Sequence, residues 1–533
     1  MPNCLNALER EENLKILNHE KFDLLIIGGG ITGAGVALEA AQRGMKVALI
    51  EMQDFAAGTS SRSTKLIHGG LRYLKQLELK LVMETGRERA IAHKNAPHLV
   101  HPEKLLLPMI KGGSLGKFTT SLALWVYDVL AGVKGDDKKR MLSKKEILEI
   151  QDDLNKDVVI GGGIYAEYRT DDARLCLAVL KTAANKGTVA MNYVKADKFI
   201  YSNKKICAVE CVDQLNGKKI SIKANAFVNA AGPWVDKVRE KDDSLNNKQL
   251  FLTKGIHLVI DSKKLKLEHA CYFELNDGRM IFAIPREEKL YIGTTDTTYE
   301  GDIKNPQVNQ KDVDYILNGL NHMFPKAEIK TTDIVSTWAG LRPLINEKGK
   351  SPSEISRKDE IFESKSGLFT IAGGKLTAYR KMAERTLNYI QKANRLKLKK
   401  GNTKNCKLIG AIDNPITIID KLKEKGINKN WAKYLWQRYG SESIKIINNC
   451  KKSDDAALIV SELEYCIKNE STHNLIDFLS QRTSRTLFYP ESIDCNIEIL
   501  AAIAQQLLNW DESKKNIEVH KVREYMKAMI TFA

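Results

Sequence analysis

A glycine-rich turn between two short apolar runs constrains the fold of this chain more than any other feature. The first run predicts a buried strand, the turn opens a helix of small residues, and the second run predicts a strand that ends on an acidic residue. In chain order these segments are residues 22–27, Gly28 to Gly33, residues 34–43, residues 47–50 and Glu51. This is the order of a βαβ unit that binds a dinucleotide, so the sequence predicts an α/β protein with a Rossmann-like domain.

The glycines of the turn have distinct predicted roles. Gly28 permits the tight turn, Gly30 lets the backbone approach a pyrophosphate, and Gly33 lets the helix lie close against the strand. The first turn of the helix, at Thr32, supplies N–H groups for the anion. Glu51 follows 23 residues after Gly28, where its carboxylate can accept hydrogen bonds from ribose hydroxyls. An adenosine with a free 2′-hydroxyl is expected, which both NAD and FAD satisfy.

Three later segments extend the predicted cofactor site. Residues 58–73 are rich in hydroxyls, glycines and bases, which can line a cofactor with hydrogen-bond donors. Further along, a strand runs into Ala-Gly-Pro at 231–233, and a second glycine turn at 373–377 precedes a helix. The cofactor-contacting residues predicted in these segments are Ser60, Ser61, Lys65, His68, Gly232, Gly374, Lys375, Leu376 and Thr377.

The composition is that of a folded protein with several domains. The chain has 533 residues, and one hydrophobic core rarely serves more than ~300. With 43% hydrophobic and 28% charged residues, it is neither disordered, collagen-like nor a coiled coil. The net charge of +17 suits an anionic partner: nucleic acid, an acidic membrane surface or a phosphorylated substrate. No RNA- or DNA-binding module accompanies the charge, so nucleic acid is not predicted as a partner.

Neither a membrane-spanning segment nor a metal site is predicted. The polar N-terminus lacks the apolar core of a signal peptide, and no stretch reaches ~20 uncharged apolar residues without glycine. The nine cysteines include no CxxC pair and are interpreted as reduced thiols of a cytoplasmic protein. The apolar stretch 118–133 is either a buried helix or a helix that lies on a membrane surface.

The cofactor segments are separated along the chain, and the resemblance to a known family described below implies that a substrate domain is inserted between them. Apolar residues recur at helical spacing near the end of the chain and predict a helical domain there. The division is 1–98, 151–240 and 335–392 for the first domain, 99–150 and 241–334 for the second, 393–407 for a basic linker and 408–533 for the helical domain.

Several motifs together resemble one family, the FAD-dependent glycerol-3-phosphate dehydrogenases of the respiratory, aerobic type. The matching motifs are Gly28 to Gly33, Ser60 to Tyr73, Asn229 to Asp236, Lys254 to His257, Ile284 to Asp296, Trp338 to Leu344 and Gly373 to Lys381. Lys-Leu-Ile-His-Gly-Gly-Leu-Arg-Tyr combined with Trp-Ala-Gly-Leu-Arg-Pro-Leu is specific. The resemblance covers residues 20 to 390 well and continues more loosely through the helical tail.

The resemblance implies a fold, a reaction and a location. The expected fold is a Rossmann-like FAD-binding domain with a mixed-sheet substrate domain and an α-helical C-terminal domain. The expected reaction converts glycerol 3-phosphate to dihydroxyacetone phosphate by hydride transfer from C2 to FAD, and electrons pass on to a membrane quinone. The protein is then expected in the cytoplasm, bound peripherally to the anionic inner face of the cell membrane, and a homodimer is left open.

This reaction requires cations for the phosphate, an acceptor for the hydroxyl proton and positive charge near the reduced flavin. The resemblance assigns Arg72 and Arg342, and less closely Arg357, to the substrate, and Tyr73 is predicted to orient the substrate by a hydrogen bond. The predicted catalytic residues are His257, Arg342 and Lys375, of which Lys375 places a cation beside the substrate oxygen or the flavin. His257 is the predicted base because an imidazole can titrate near neutral pH. His68 is the competing candidate.

Two flavin-enzyme alternatives stay open at this stage. A glycerol-3-phosphate oxidase would pass the electrons to oxygen and form hydrogen peroxide, and the sequence does not separate it from a dehydrogenase. An amine or 2-hydroxy-acid oxidase of the same fold would recognise a carboxylate, which needs fewer cations than this chain offers.

Overall fold

A computed structural model describes residues 3–69, 78–114, 138–245, 248–346, 358–450 and 454–532. The strands are β1 (Lys21–Ile27), β2 (Val47–Ile50), β3 (Leu66–Ile67), β4 (Val100–Ile110), β5 (Arg140–Ser143), β6 (Val159–Thr170), β7 (Val189–Met191), β8 (Val194–Ser202), β9 (Lys205–Asp213), β10 (Lys219–Asn229), β11 (Leu250–Asp261), β12 (Ala270–Glu274), β13 (Met280–Arg286), β14 (Lys289–Gly293), β15 (Thr297–Thr298), β16 (Ile334–Ile345), β17 (Asp359–Glu363) and β18 (Leu368–Gly373). The helices are α1 (Arg10–His19), α2 (Ile31–Gln42), α3 (Leu79–Asn95), α4 (Lys144–Ile150), α5 (Asp172–Ala184), α6 (Val235–Lys241), α7 (Gln310–Met323), α8 (Tyr379–Ala393), α9 (Pro415–Glu424), α10 (Lys429–Tyr439), α11 (Ser443–Asn448), α12 (Asp455–Asn469), α13 (Arg485–Phe488), α14 (Pro490–Leu508) and α15 (Glu512–Ala528). The predicted apolar helix at 118–133 lies outside the described residues.

The first sheet is built around the two strands that flank the glycine turn. In the part of the chain that the structure describes, its order is β17-β18-β10-β1-β2-β7, and β9 and β8 continue from β10 as an antiparallel ribbon. The five strands from β18 to β7 are parallel. All of β2 is buried, as is most of β1, because strands of a parallel sheet are covered on both faces. The predicted strands at 22–27 and 47–50 are confirmed.

Helix α2 packs against both α5 and α8. Its sequence of alanines and glycines suits this position, because small side chains let neighbouring helices approach closely. A Cβ atom on Gly35 would lie 3.0 Å from Cδ2 of Tyr379 in α8. The predicted helix of small residues after the first glycine turn is therefore confirmed, and it forms the centre of the helical layer.

The second sheet is mixed, and β11 pairs with three of its strands, which are β14, β15 and β16. Within the described ranges its order is β15-β11-β14-β13-β12-β4-β6-β3, with β16 paired to β11 and β5 to β6. β12 and β4 are parallel, and the other pairs are antiparallel. A separate hydrophobic cluster lies between this sheet and helix α7. The predicted mixed-sheet architecture beside a Rossmann-like sheet is confirmed.

Three strands differ from the predicted domain division. β3, β6 and β16 fall in segments assigned to the cofactor-binding domain, but all three belong to the second sheet. β6 pairs along most of its length with β4, and β16 pairs with β11 from Leu250 to Ile260. At these strands the chain passes from one sheet to the other. Domain boundaries drawn by sequence segment therefore do not follow the division between the two sheets. The domain boundaries themselves stay a prediction.

The C-terminal region is helical from α9 to α15 and has its own hydrophobic cluster. The basic segment at 393–407, predicted as a linker, packs against the first domain: Oγ1 of Thr403 donates to Glu39 in α2 over 2.5 Å, and Asn95 donates to the Thr403 carbonyl over 3.0 Å. Among the described residues, no helix has the length and apolar character required to cross a membrane.

Candidate active site

The predicted cofactor segments meet at one edge of the first sheet. The turn at Gly28 follows β1, Glu51 follows β2, the Ala-Gly-Pro segment follows β10, and the second glycine turn follows β18. Since these four strands are adjacent and parallel, their carboxyl ends lie side by side. Ligands of open α/β sheets bind at this edge. The sheet topology therefore brings together segments that are more than 300 residues apart in sequence.

Gly28 and Gly33 lie directly behind this edge and do not line the cavity. Gly28 has a φ of +121°, and a Cβ atom on it would lie 2.4 Å from the Ala230 carbonyl oxygen. A Cβ atom on Gly33 would lie 1.9 Å from the Gly28 carbonyl oxygen. Both positions therefore require glycine, because α2 and β10 approach the turn too closely for any side chain.

Gly30 and Thr32 do line the cavity, at the N-terminus of α2. Gly30 is the N-cap residue, and the hydroxyl of Ser60 accepts a hydrogen bond from the Ile31 N–H over 2.9 Å. Ser60 thus occupies one donor of the helix terminus, while the helix dipole still favours an anion there.

Glu51 faces the cavity with its carboxylate held by the backbone. Its oxygens accept hydrogen bonds from the N–H of Gly29 over 2.7 Å and from the N–H of Gln53 over 2.9 Å. Burial raises the pKa of Glu51 above its ordinary value despite these donors. The carboxylate is fixed in orientation and keeps lone pairs for hydroxyl donors.

A single cavity contains most of the predicted site. The predicted residues that line it are Gly30, Thr32, Glu51, Ser60, His68, Gly232, His257, Arg342, Gly374, Lys375, Leu376 and Thr377. Gly28, Gly33, Ser61 and Lys65 lie outside its lining. Arg72, Tyr73 and Arg357, predicted to bind substrate, lie outside the described residues. The roles of all these residues remain predictions, but the structure brings the described ones to the cavity or directly behind it.

Lys65 lies behind the cavity wall. Its ammonium, 1% exposed, forms an ion pair with Asp172 over 2.6 Å and donates to the Ser61 carbonyl over 2.9 Å. The other Asp172 oxygen accepts hydrogen bonds from the Ser63 N–H and hydroxyl. Lys65 and Asp172 therefore fix the loop at 60–64 from behind, which is a positioning role.

His257 lies in the middle of β11, where its ring stacks on Trp338 of β16 at a centroid distance of 4.5 Å. Nε2 is 3.0 Å from the Thr64 hydroxyl, and Nδ1 has no hydrogen-bond partner among the described residues. Burial, together with the charges of Arg342 and Lys65, holds the pKa of His257 well below its ordinary value. The imidazole is therefore neutral at pH 7, and the expectation that it titrates near neutral pH is wrong, because burial penalises its charged form.

Arg342 projects from β16 beside Gly255 of β11. Its Nη1 donates to the Thr295 carbonyl over 3.1 Å and to Asp296 over 3.2 Å, and its Nη2 donates to the Thr294 hydroxyl over 3.0 Å. A Cβ atom on Gly255 would lie 2.3 Å from Nη2, so the glycine makes room for the guanidinium. The segment 294–296 thus orients this cation at the cavity.

His68 and the second glycine turn are joined by two hydrogen bonds. The Thr377 hydroxyl accepts from the His68 N–H over 3.2 Å and donates to the His68 carbonyl over 3.1 Å. The cavity residues Lys375 and His68 are therefore held in one unit. His68 also stays close to Phe282 of the second sheet, with ring centroids 6.2 Å apart.

Sequence reasoning missed several residues that complete the site. Asp172, Trp338, Thr64 and Asp296 contact Lys65, His257 or Arg342 directly, although each lies far from its partner in sequence. Asp296 and Trp338 fall within motifs that carried the family resemblance, which was the available signal. Asp172 begins a helix, so its sequence context indicated an ordinary helix terminus.

Family comparisons assign a class to this fold and site. Residues 23–380 match the family model described as FAD dependent oxidoreductase. Residues 401–515 match the model of the C-terminal domain of alpha-glycerophosphate oxidase. The protein is therefore an FAD-dependent oxidoreductase, as the family resemblance implied, whereas the βαβ unit alone was compatible with both NAD and FAD.

Comparison with individual relatives identifies the family within this class. The chain is 50% identical over 549 residues to the aerobic glycerol-3-phosphate dehydrogenase of Staphylococcus aureus (strain USA300), covering 98% of each. It is 49% identical over 532 residues to that of Staphylococcus haemolyticus, covering 96% of each. A solved glycerol-3-phosphate dehydrogenase from Bacillus halodurans, complexed with FAD, aligns with a TM-score of 0.85 and 38% identity over 99% of both chains. The chain belongs to the family of aerobic, FAD-dependent glycerol-3-phosphate dehydrogenases, which confirms the predicted resemblance.

A more distant neighbour shares only the fold. The L-alpha-glycerophosphate oxidase of Mycoplasma pneumoniae aligns with a TM-score of 0.58 and 17% identity over 73% of this chain and 98% of its own. At this identity the likeness carries no argument about which electron acceptor is used.

Proposed function

We propose that this enzyme oxidises sn-glycerol 3-phosphate to dihydroxyacetone phosphate, with hydride transfer from C2 to FAD, and passes the electrons to a membrane quinone. One observation carries the proposal: a single cavity joins the dinucleotide edge, with Glu51, to a neutral histidine and two cationic side chains, His257, Arg342 and Lys375. FAD would be held along this edge, and these three residues of the same cavity would then be available to the substrate.

The residues present fit FAD. Glu51 offers fixed carboxylate oxygens to the ribose, and the N-terminus of α2 at Gly30 and Thr32 offers N–H groups to the pyrophosphate. The second glycine turn, with Lys375, offers N–H groups and a positive charge to the flavin ring. When bound, FAD supplies the acceptor for the hydride from C2.

His257 accepts the hydroxyl proton in this proposal. A neutral imidazole that donates from Nε2 to Thr64 leaves Nδ1 as the acceptor, and Nδ1 is the ring nitrogen without a partner among the described residues. Stacking on Trp338 fixes the plane of the ring. Arg342 and Lys375 would bind the phosphate or stabilise negative charge, as charge-assisted donors do. Arg72, Tyr73 and Arg357 complete the substrate contacts on the strength of the family resemblance.

A glycerol-3-phosphate oxidase is the second candidate, because residues 401–515 match a domain named for an alpha-glycerophosphate oxidase. The two candidates share every step up to reduction of the flavin. They differ only in whether the electrons then pass to quinone or to oxygen.

The membrane assignment rests on charge. The net charge of +17 suits the anionic inner face of the cell membrane, where a quinone is available. We therefore propose peripheral attachment of a cytoplasmic protein, and a homodimer as the assembly to be tested. Binding to anionic vesicles should weaken as salt rises, because screening shortens to ~3 Å at 1 M ionic strength.

One rapid-mixing experiment tests the reaction. Under argon, glycerol 3-phosphate should bleach the flavin absorbance, whereas glycerol without phosphate should not. The reduced enzyme is then mixed with a water-soluble quinone analogue or with air-saturated buffer. Fast reoxidation by the quinone and slow reoxidation by oxygen supports the dehydrogenase, and the reverse supports the oxidase. A flavin that glycerol 3-phosphate leaves oxidised contradicts the proposed substrate.

A further inference from the structure

The C-terminal helical region reaches the loop that carries Glu51. Residues 477–482 form a π-helical turn, and Arg482 at its end is 0% exposed. Arg482 Nη1 and Nη2 donate to the two oxygens of Asp54 over 2.5 and 2.8 Å. Asp54 lies three residues after Glu51. A buried bidentate ion pair therefore joins the C-terminal region to the ribose side of the cavity.

Arg482 is itself fixed by its own region. Its Nε and Nη2 donate to the Glu470 carbonyl over 3.0 and 2.7 Å. A planar guanidinium whose nitrogens are all engaged has little freedom to shift. Asp54 is consequently attached to a rigid point of the C-terminal region.

Asn192 makes a second link between the same regions. Its amide nitrogen donates to Asp54 Oδ1 over 2.8 Å and to the Ser471 carbonyl over 2.9 Å. The nearby Asp477 does not compete for the charge of Arg482, since burial and the Asp54 carboxylate raise the pKa of Asp477 to about 8. Among the described residues, the carboxylate that Arg482 contacts is that of Asp54.

Asp54 is connected to the cavity by the backbone hydrogen bonds of neighbouring residues. The adjacent residue, Gln53, donates its N–H to Glu51 Oε1 over 2.9 Å. On the other side, Ala56 donates its N–H to the Gly29 carbonyl over 3.1 Å and lines the cavity. A shift of Asp54 would therefore move one of the two N–H donors that orient the Glu51 carboxylate.

We propose that Arg482 is a positioning residue for the cofactor. By fixing Asp54 it holds Glu51 where its carboxylate accepts the ribose hydroxyls, so the C-terminal helical region sets how tightly FAD is retained. The proposal rests on the proposed function in one respect, the placement of the adenosine ribose at Glu51.

A second buried arginine of the C-terminal region supplies a matched control. Arg485 of α13 donates to Glu462 Oε2 over 3.0 Å and to the Tyr434 hydroxyl over 3.2 Å. It is 4% exposed, so it is nearly as buried as Arg482. None of these partners belongs to the loop at 51–57 or lines the cavity, and none of them is Glu470.

The test measures FAD release from purified holoenzyme after dilution, followed by the recovery of free-flavin fluorescence. Arg482→Lys keeps the charge but loses the fork that engages Asp54 and Glu470 together. We expect it to raise the Kd for FAD at least about tenfold, whereas Arg485→Lys should change that Kd by less than about threefold. With excess FAD, the KM for glycerol 3-phosphate should equal the wild-type value in both variants.

Asn192→Ala is the second variant, because it removes one link and leaves the ion pair intact. It should raise the Kd for FAD by about two- to fivefold, and it decides the question if Arg482→Lys does not fold. Equal FAD retention in wild type, Asn192→Ala and any folded Arg482→Lys overturns the inference. So does an Arg485→Lys enzyme that loses FAD as readily as Arg482→Lys. A wild-type protein that carries no FAD would instead count against the proposed function.

Discussion

Backbone atoms form most of one end of the cavity, and side chains form the other end. The cofactor end consists mainly of backbone at the carboxyl edge of four parallel strands, with Gly28 and Gly33 allowing close approach. The end with His257 and Arg342 consists of side chains that project from β11 and β16 of the second sheet. The cofactor end depends on glycines, which have no Cβ atom to block the close approach. The end with His257 and Arg342 depends on the charge and the proton affinity of its side chains.

This difference predicts how each end fails. A change at the backbone end should act by steric displacement and remove the cofactor altogether. A change at the side-chain end should leave the flavin in place and alter either the rate of its reduction or the binding of the substrate. The following experiments test that contrast, from the largest expected effect to the smallest.

The largest effect is expected for Gly33→Ala. The added Cβ atom would lie 1.9 Å from the Gly28 carbonyl oxygen, so the turn must shift. The purified protein should contain less than about a tenth of the wild-type flavin by its visible spectrum. Gly35→Ala in the same helix is the control: its Cβ atom would meet Tyr379 at 3.0 Å, and it should retain flavin. A yellow Gly33→Ala protein would place the cofactor elsewhere.

The next largest effect is expected for His257→Ala. Loss of the proposed proton acceptor should slow flavin reduction by about two to four powers of ten, with little change in the substrate constant. Rapid mixing over a range of glycerol 3-phosphate concentrations separates the two parameters. His68→Ala is the matched comparison. If His68→Ala causes the loss of rate and His257→Ala does not, the base is His68.

Arg342→Lys should have a smaller effect, on binding. It keeps the charge but loses the planar fork, and charge-assisted hydrogen bonds are worth ~1.5–3 kcal/mol each. The substrate constant should rise roughly ten- to a hundredfold while the flavin spectrum stays normal. Arg62→Lys, at another arginine of the cavity wall, should leave the constant unchanged. An unaltered constant in Arg342→Lys would remove Arg342 from the phosphate site.

The smallest effect concerns pH. Burial shifts the pKa of the titratable residue in opposite directions at the two ends. Burial raises the pKa of Glu51, so its carboxylate gains a proton, and loses acceptor capacity, at a higher pH than an exposed glutamate. Burial lowers the pKa of His257, so the imidazole stays neutral below pH 6.5. FAD retention in dilution experiments should weaken a few-fold between pH 7 and pH 5. Glu51→Gln should bind FAD more weakly, and its retention should not vary over that range.

The contrast also explains how much of the site the sequence could predict. Half of the backbone end, formed by β1 and β2, is encoded within residues 22–51, because strand, turn, helix and acid follow one another, and the structure confirms those elements. Lys65 could not be placed in the same way, because its partner Asp172 lies 107 residues away and nothing in the local sequence indicates that the ammonium points away from the cavity.

The side-chain end was identified through family motifs and not through physical pattern. The stacking of His257 on Trp338 depends on the antiparallel register of β11 and β16, which pairs these two residues directly. Register between strands some 80 residues apart is not encoded in local periodicity. The same limit applies to β6 and β16, since their local sequence does not indicate which of the two sheets each strand joins.

The ion pair between Arg482 and Asp54 has a consequence for biosynthesis. The two residues are 428 positions apart, and the first sheet itself lacks β18 until residue 373 has been made. At a synthesis rate of about 5–20 residues per second, the early strands wait on the order of 20–90 seconds for the last groups that complete their edge. During that interval the nascent βαβ unit has exposed apolar strands and an incomplete nucleotide site, so cofactor capture should follow release of the chain from the ribosome.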